Sequence, residues 1–158
     1  MKRQDRELTK QEEFQYILEH SDVVHIGMHD GEDIYVIPMN YGFVYEEGKI
    51  TLYVHGNLEG KKWDLIKKNG RVAIEIDCDH SLITGNVACQ YGYTYASIMG
   101  NGYAEYIEDP QEKAEALSLL MRNLTGKDFE FTEKLAGIVG IAKITLDSYT
   151  GKRRQADV

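Results

Sequence analysis

A chain of 158 residues with 42% hydrophobic side chains can bury one core of its own but not two, so residues 1–158 are read as a single domain. A formal net charge of -8 excludes a general nucleic-acid binder, because phosphate backbones are held by excess Lys and Arg; any anion site must be local. Two cysteines are too few for a disulfide framework, MKRQDREL lacks the apolar core of a secretory signal, and no apolar run approaches the roughly 20 residues that span a bilayer. The expectation is a soluble cytoplasmic protein with no membrane partner.

Thr9 followed by Glu12 reads as a capping box, and Phe14, Ile17 and Leu18 share one face, predicting a short amphipathic helix over residues 10–20. Val23 to Met28 is a β-prone run, Asp30-Gly31 a hairpin signal, and IYVIPMNYGF from Ile34 a second strand. Pro38 lies inside that strand and removes a ladder donor. It therefore belongs at an edge, at a bulge, or where the backbone faces something other than a strand. A turn at 46–49 leads to a third strand, Ile50 to His55.

Asn57 marks the N-cap region of a second helix that ends at Asn69-Gly70 in the manner of a glycine C-cap. Its first turn carries Lys61 and Lys62, just after Gly60. A helix N-terminus is already partly positive and has unpaired N–H groups, so cations are disfavoured there unless an anion is shared between them and the helix end. A lysine pair is by default a solvated surface. At this position it reads as a phosphate site.

Val72 to Cys78 alternates strictly and predicts a fourth strand, after which the pattern is lost from Asp79 to Gln90. Tyr91 to Ile107, with Gly92, Gly100 and Gly102, predicts a long curved strand that helps close a barrel. Asp109-Pro110 starts a third helix that Gly126 stops. Residues 127–137 carry no clear pattern, and Ile138 to Leu146 is the last strand before a polar tail with Lys152, Arg153 and Arg154. Hairpins dominate and strands do not alternate with helices, so the fold class is mainly β: a six-stranded antiparallel split barrel with three peripheral helices.

Cys78, His80 and Cys89, with Asp77 and Asp79 nearby, match no common zinc spacing, and no metal is expected from them. Tyr91, Tyr93 and Tyr95 share one face of their strand and read as cross-strand packing rather than a base-stacking platform. His55, at the end of its strand, reads either as a histidine that caps the strand or as a proton donor beside a ligand.

Five segments in this order, IPMNYG from Ile37, LYVH from Leu52, EGKKWDLI from Glu59, YASIMGNGYAE from Tyr95 and TGK from Thr150, resemble the flavin-binding split-barrel family of pyridoxamine 5'-phosphate oxidase, in particular its 5-nitroimidazole resistance branch. The resemblance implies a homodimer with FMN at the subunit interface. Val36, Ile37, Pro38, Met39 and Asn40 would run along the flavin ring, with Val54, His55 and Ser97 beside it, Lys61 and Lys62 on its phosphate, and Lys152 reaching the partner's site. It implies a flavin-dependent reductase passing electrons from a small donor to a small acceptor such as a nitroaromatic. The alternative is a flavin- or haem-binding protein of the same fold without turnover. Two departures matter: Ala96 stands where nitroimidazole-related members carry a basic residue, and the Trp and Arg elements that hold pyridoxamine phosphate are missing after the last strand. Oxidation of pyridoxamine phosphate is therefore not expected.

Overall fold

A computed structural model of the chain describes residues 3–155. Six strands, β1 (Val23–Asp30), β2 (Asp33–Glu46), β3 (Lys49–Gly56), β4 (Arg71–Ile83), β5 (Gly92–Tyr106) and β6 (Gly140–Arg154), pair antiparallel and close one barrel in the order β1-β2-β3-β6-β5-β4. Around it stand α1 (Gln11–His20), α2 (Lys61–Lys68), α3 (Pro110–Thr125) and the single turn α4 (Glu133–Ala136).

Alternation decides which face is buried. Val24 and Ile26 of β1, Ile50, Leu52 and Val54 of β3, Ile74 and Ile76 of β4, Ala96 and Ile98 of β5, and Ala142 and Ile144 of β6 all point inward and are buried. α3 lies on β2 so closely that a Cβ on Gly42 would fall 2.6 Å from the Cα of Leu120. The glycines of β5 serve the close approach expected of them. At Gly102 the register with β6 shifts, and a Cβ there would meet the Thr145 carbonyl oxygen at 2.3 Å.

Pro38 sits on an edge, as its missing N–H requires. Residues 33–40 of β2 pair with β1, whereas residues 41–46 pair with β3. Among the described residues no strand covers the other edge of 33–40, and this gap between β2 and the end of β3 is the split in the barrel.

Several boundaries differ from the sequence reading. The N-cap of α1 is Lys10, whose backbone N–H donates to Glu13 at 3.3 Å, so the capping box lies one residue beyond Thr9 and Glu12. α2 is capped by Gly60 (φ 150°), not in the region of Asn57, and leaves through an extended Asn69 rather than a left-handed glycine. β4 runs on to Ile83. A positive φ of 62° at Asp79 and a register shift between Cys78 and Ser81 break its alternation and hide the continuation. The polar tail is strand as far as Arg154, paired with β5, and residues 133–136 form the short fourth helix.

Candidate functional site

α2 is placed by its tryptophan. Trp63 is 1% exposed, meets Tyr106 edge-on at a centroid distance of 5.5 Å, and donates its indole N–H to the Asn57 carbonyl at 2.6 Å. β6 approaches the same ring so closely that a Cβ on Gly140 would lie 2.7 Å from the indole nitrogen. With Trp63 fixed, the preceding Lys62 is carried back over the end of β3. Its ammonium lies 4.8 Å from the Trp63 ring centroid, and a Cβ on Gly56 would stand 3.1 Å from the same nitrogen. Gly56 thus leaves the space that the Lys62 amine uses.

His55 precedes that glycine. Its Nδ1 is buried without a hydrogen-bond partner, the only such side-chain nitrogen or oxygen among the described residues. A buried unpaired polar atom costs on the order of 1–3 kcal/mol, so its place beside a lysine and a helix N-terminus suits a group that binds there. Burial, and after it the Lys62 ammonium, hold the imidazole pKa below its ordinary value.

The sign of the stability effect follows. The unfolded chain takes up a proton near pH ~6.5 while the folded imidazole still resists it, so stability is complete above that pH and falls as pH drops toward the lower folded value. In urea titrations at about pH 7.5 and pH 5.5, wild type is expected to lose more stability on acidification than His55→Gln. Equal losses would show that His55 is not held neutral by its surroundings.

Lys61 points elsewhere. It is ion-paired with Asp30 at the β1–β2 hairpin and lies over the Tyr35 ring at 5.1 Å, and the hydrogen bond to Asp30 raises its pKa. The two lysines are therefore not equivalent: Lys61 has a carboxylate partner, while among the described residues Lys62 has none within ion-pair distance.

Of the other residues marked by the sequence, Val36, Pro38 and Asn40 are exposed on the outer face of β2, whereas Ile37 and Met39 turn toward the barrel and are half-buried. Val54 is fully buried in the core, so only its main chain can meet a ligand. Ser97 and Lys152 are cross-strand partners on β5 and β6. Lys152 lies eleven residues along β6 from Ile141, the partner of His55, or roughly 35 Å of strand. One chain brings Gly56 and Lys62 together at the end of β3 that carries His55, near the free edge of β2, whereas Ser97 and Lys152 pair with each other much farther along β6. Cys78 is buried, with its thiol pushed up to about 11 by that burial and then by Asp79, and Cys89 is exposed.

Comparison with known proteins places this geometry. A family model described as pyridoxamine 5'-phosphate oxidase matches residues 10–153. A candidate 5-nitroimidazole antibiotic resistance protein from Bacteroides thetaiotaomicron is 32% identical, with a TM-score of 0.77 over 93% of this chain and 86% of the other. The FAD and heme binding protein of Mycobacterium smegmatis superimposes with a TM-score of 0.82 at 15% identity, covering 96% of this chain and 74% of that one. The flavocytochrome Anf3 of Azotobacter vinelandii gives 0.76 at 21% identity, covering 95% and 70%. At these identities the last two show the shared fold. No curated protein matches the chain. With nearly its whole length matched by the family model and the split barrel in place, the chain belongs to the pyridoxamine 5'-phosphate oxidase family.

Proposed function

We propose that the chain is an FMN-binding protein that works as a homodimer and reduces a small acceptor such as a nitroaromatic compound. The observation that carries this reading is the Lys62 ammonium, which packs over the end of β3 against Gly56 and Trp63 with no carboxylate partner among the described residues, at the same strand end where His55 Nδ1 is buried and unpartnered. Lys62 and the N-terminus of α2 would hold the terminal phosphate, since both supply positive charge to the same point. The exposed edge at Pro38 would lie along the ring, where a proline leaves no N–H in need of a strand. A flavin there would supply the hydride and electron chemistry, with the protein giving position and electrostatics. His55, kept neutral by burial, can donate an N–H to the ring or to the acceptor at neutral pH.

Dimerisation is supported by the length of strand between Lys152 and His55. In this reading Ser97 and Lys152, far along β6 from the partner of His55, come from a second copy. The likeness to the candidate nitroimidazole resistance protein supports the acceptor class. A second reading, a flavin or haem carrier without turnover, is favoured by the fold shared with the FAD and heme binding protein, and by a site whose candidate proton donor is a single histidine.

Purified protein is expected to be yellow with an FMN spectrum, to elute as a dimer, and to oxidise NADPH or NADH faster when a 5-nitroimidazole is added. A flavin spectrum without stimulated oxidation selects the carrier reading. A colourless protein with no affinity for FMN would sink both the cofactor and the reaction.

A further inference from the structure

On the outer face of the barrel, one strand away from Pro38, three metal-ligating side chains converge that no sequence spacing reveals. His25 of β1 is the direct cross-strand partner of Glu75 on β4, and it is also paired with Pro38 on its other side. Its Nδ1 lies 3.0 Å from a Glu75 carboxylate oxygen. Asp77 follows Glu75 by two residues and therefore shares its face. One ligating atom from each of His25, Glu75 and Asp77 lies within 4.8 Å of the others, and all three side chains are partly buried. His80 adds a second imidazole, with Nε2 2.8 Å from Asp77 Oδ2.

The charge of this cluster is unbalanced. Among the described residues neither Glu75 nor Asp77 has a Lys or Arg nitrogen within ion-pair distance; their only ionic partners are imidazoles. Two carboxylates two positions apart on one face repel each other. A divalent cation between them cancels both charges while the histidine remains neutral.

We propose that His25, Glu75 and Asp77 bind one zinc ion, which clamps β1 to β4 beside the split, and that His80 orients Asp77 from outside. The donor set favours zinc over calcium or magnesium, which prefer all-oxygen shells. Bonds of about 2.0–2.2 Å to a tetrahedral zinc put ligand atoms roughly 3.3 Å apart. Closing the cluster from its present spread takes up to about 1.5 Å of movement, which the rotatable Glu75 side chain can supply, and water completes the shell. A hydrogen bond from His80 to a ligating carboxylate is the kind of outer contact that holds ligands in orientation. The site uses none of the residues proposed for FMN, so it stands or falls independently of the flavin.

The test uses the full chain, stripped with a chelator and titrated with zinc chloride by calorimetry and by thermal melting. Wild type is expected to bind one zinc per chain and to melt higher with it. His25→Gln and Glu75→Gln should each weaken binding by at least tenfold, and His80→Gln by about 10-fold. His29→Gln, at another outward position of β1, and Cys89→Ser, at the exposed thiol, should leave it unchanged. The proposal is overturned if wild type takes up no stoichiometric zinc, if His25→Gln and Glu75→Gln bind as wild type does, or if Cys89→Ser abolishes binding. Millimolar calcium raising the melting temperature as much as zinc would also overturn it, because it would mark a site read only by charge. Circular dichroism of each variant separates lost binding from lost folding.

Discussion

Lys62→Ala is expected to weaken FMN binding by roughly 10- to 150-fold, the equivalent of about 1.5–3 kcal/mol for one charge-assisted hydrogen bond to phosphate. Lys61→Ala should have a much smaller effect. The difference comes from the partners the two lysines have before any ligand arrives. Lys61 is already paired with Asp30, so a phosphate must compete with a carboxylate for it, and the gain on binding is the difference between two similar ion pairs. Among the described residues Lys62 has no carboxylate to leave, and its ammonium is aimed over the end of β3 by the packing of Trp63 and the space at Gly56. Asp30→Asn, which frees Lys61, is expected to strengthen binding modestly. Trp63 is the only tryptophan in the chain and lies against Lys62, so quenching of its fluorescence reports binding directly. An Lys62→Ala protein that binds FMN within twofold of wild type would remove the helix N-terminus from the phosphate site.

This asymmetry could not be read from the sequence, where the two lysines are adjacent and look alike. The helix start itself was legible, because Gly60, the lysines and the apolar Trp63, Leu65 and Ile66 together specify a helix after a strand. Which lysine is free depends on the β1–β2 hairpin, whose Asp30 lies 31 positions earlier and meets Lys61 only through the fold. The same holds for His25 and Glu75, brought together by register across β1 and β4. Strand position was legible wherever a single face was buried, as in Val72 to Cys78. It failed at Asp79, where a backbone in the left-handed region shifts the period, and along Ser148 to Arg154, whose mostly polar side chains follow β5 over the outside. Pro38 was the most informative single residue. Its missing donor predicted an edge, a bulge or a backbone facing something other than a strand, and the first of these holds: residues 33–40 of β2 pair only with β1.

The largest stability effect is expected at the residue that supports the site from beneath. Trp63→Ala should cost about 3–5 kcal/mol, a large share of the roughly 5–15 kcal/mol available to a domain, because it empties a fully buried ring position and leaves the Asn57 carbonyl without its donor. Chemical denaturation followed by circular dichroism measures it, since the substitution removes the fluorescent reporter. Gly140→Ala approaches the same contact from β6: its methyl would stand 2.7 Å from the indole nitrogen, and overpacking of this kind costs about 1–3 kcal/mol. The two sites are therefore expected to couple. Trp63→Phe shortens the ring on the side facing Gly140, so the double variant Trp63→Phe/Gly140→Ala should be less destabilised than the sum of the singles by on the order of 1 kcal/mol. FMN affinity should follow the same pattern, because Lys62 is held in place only while the residue after it is anchored. If the two substitutions prove additive in stability, or if Gly140→Ala leaves FMN binding unchanged while destabilising the fold, then the position of Lys62 does not depend on the Trp63–Gly140 contact, and the placement of the phosphate site by α2 packing fails.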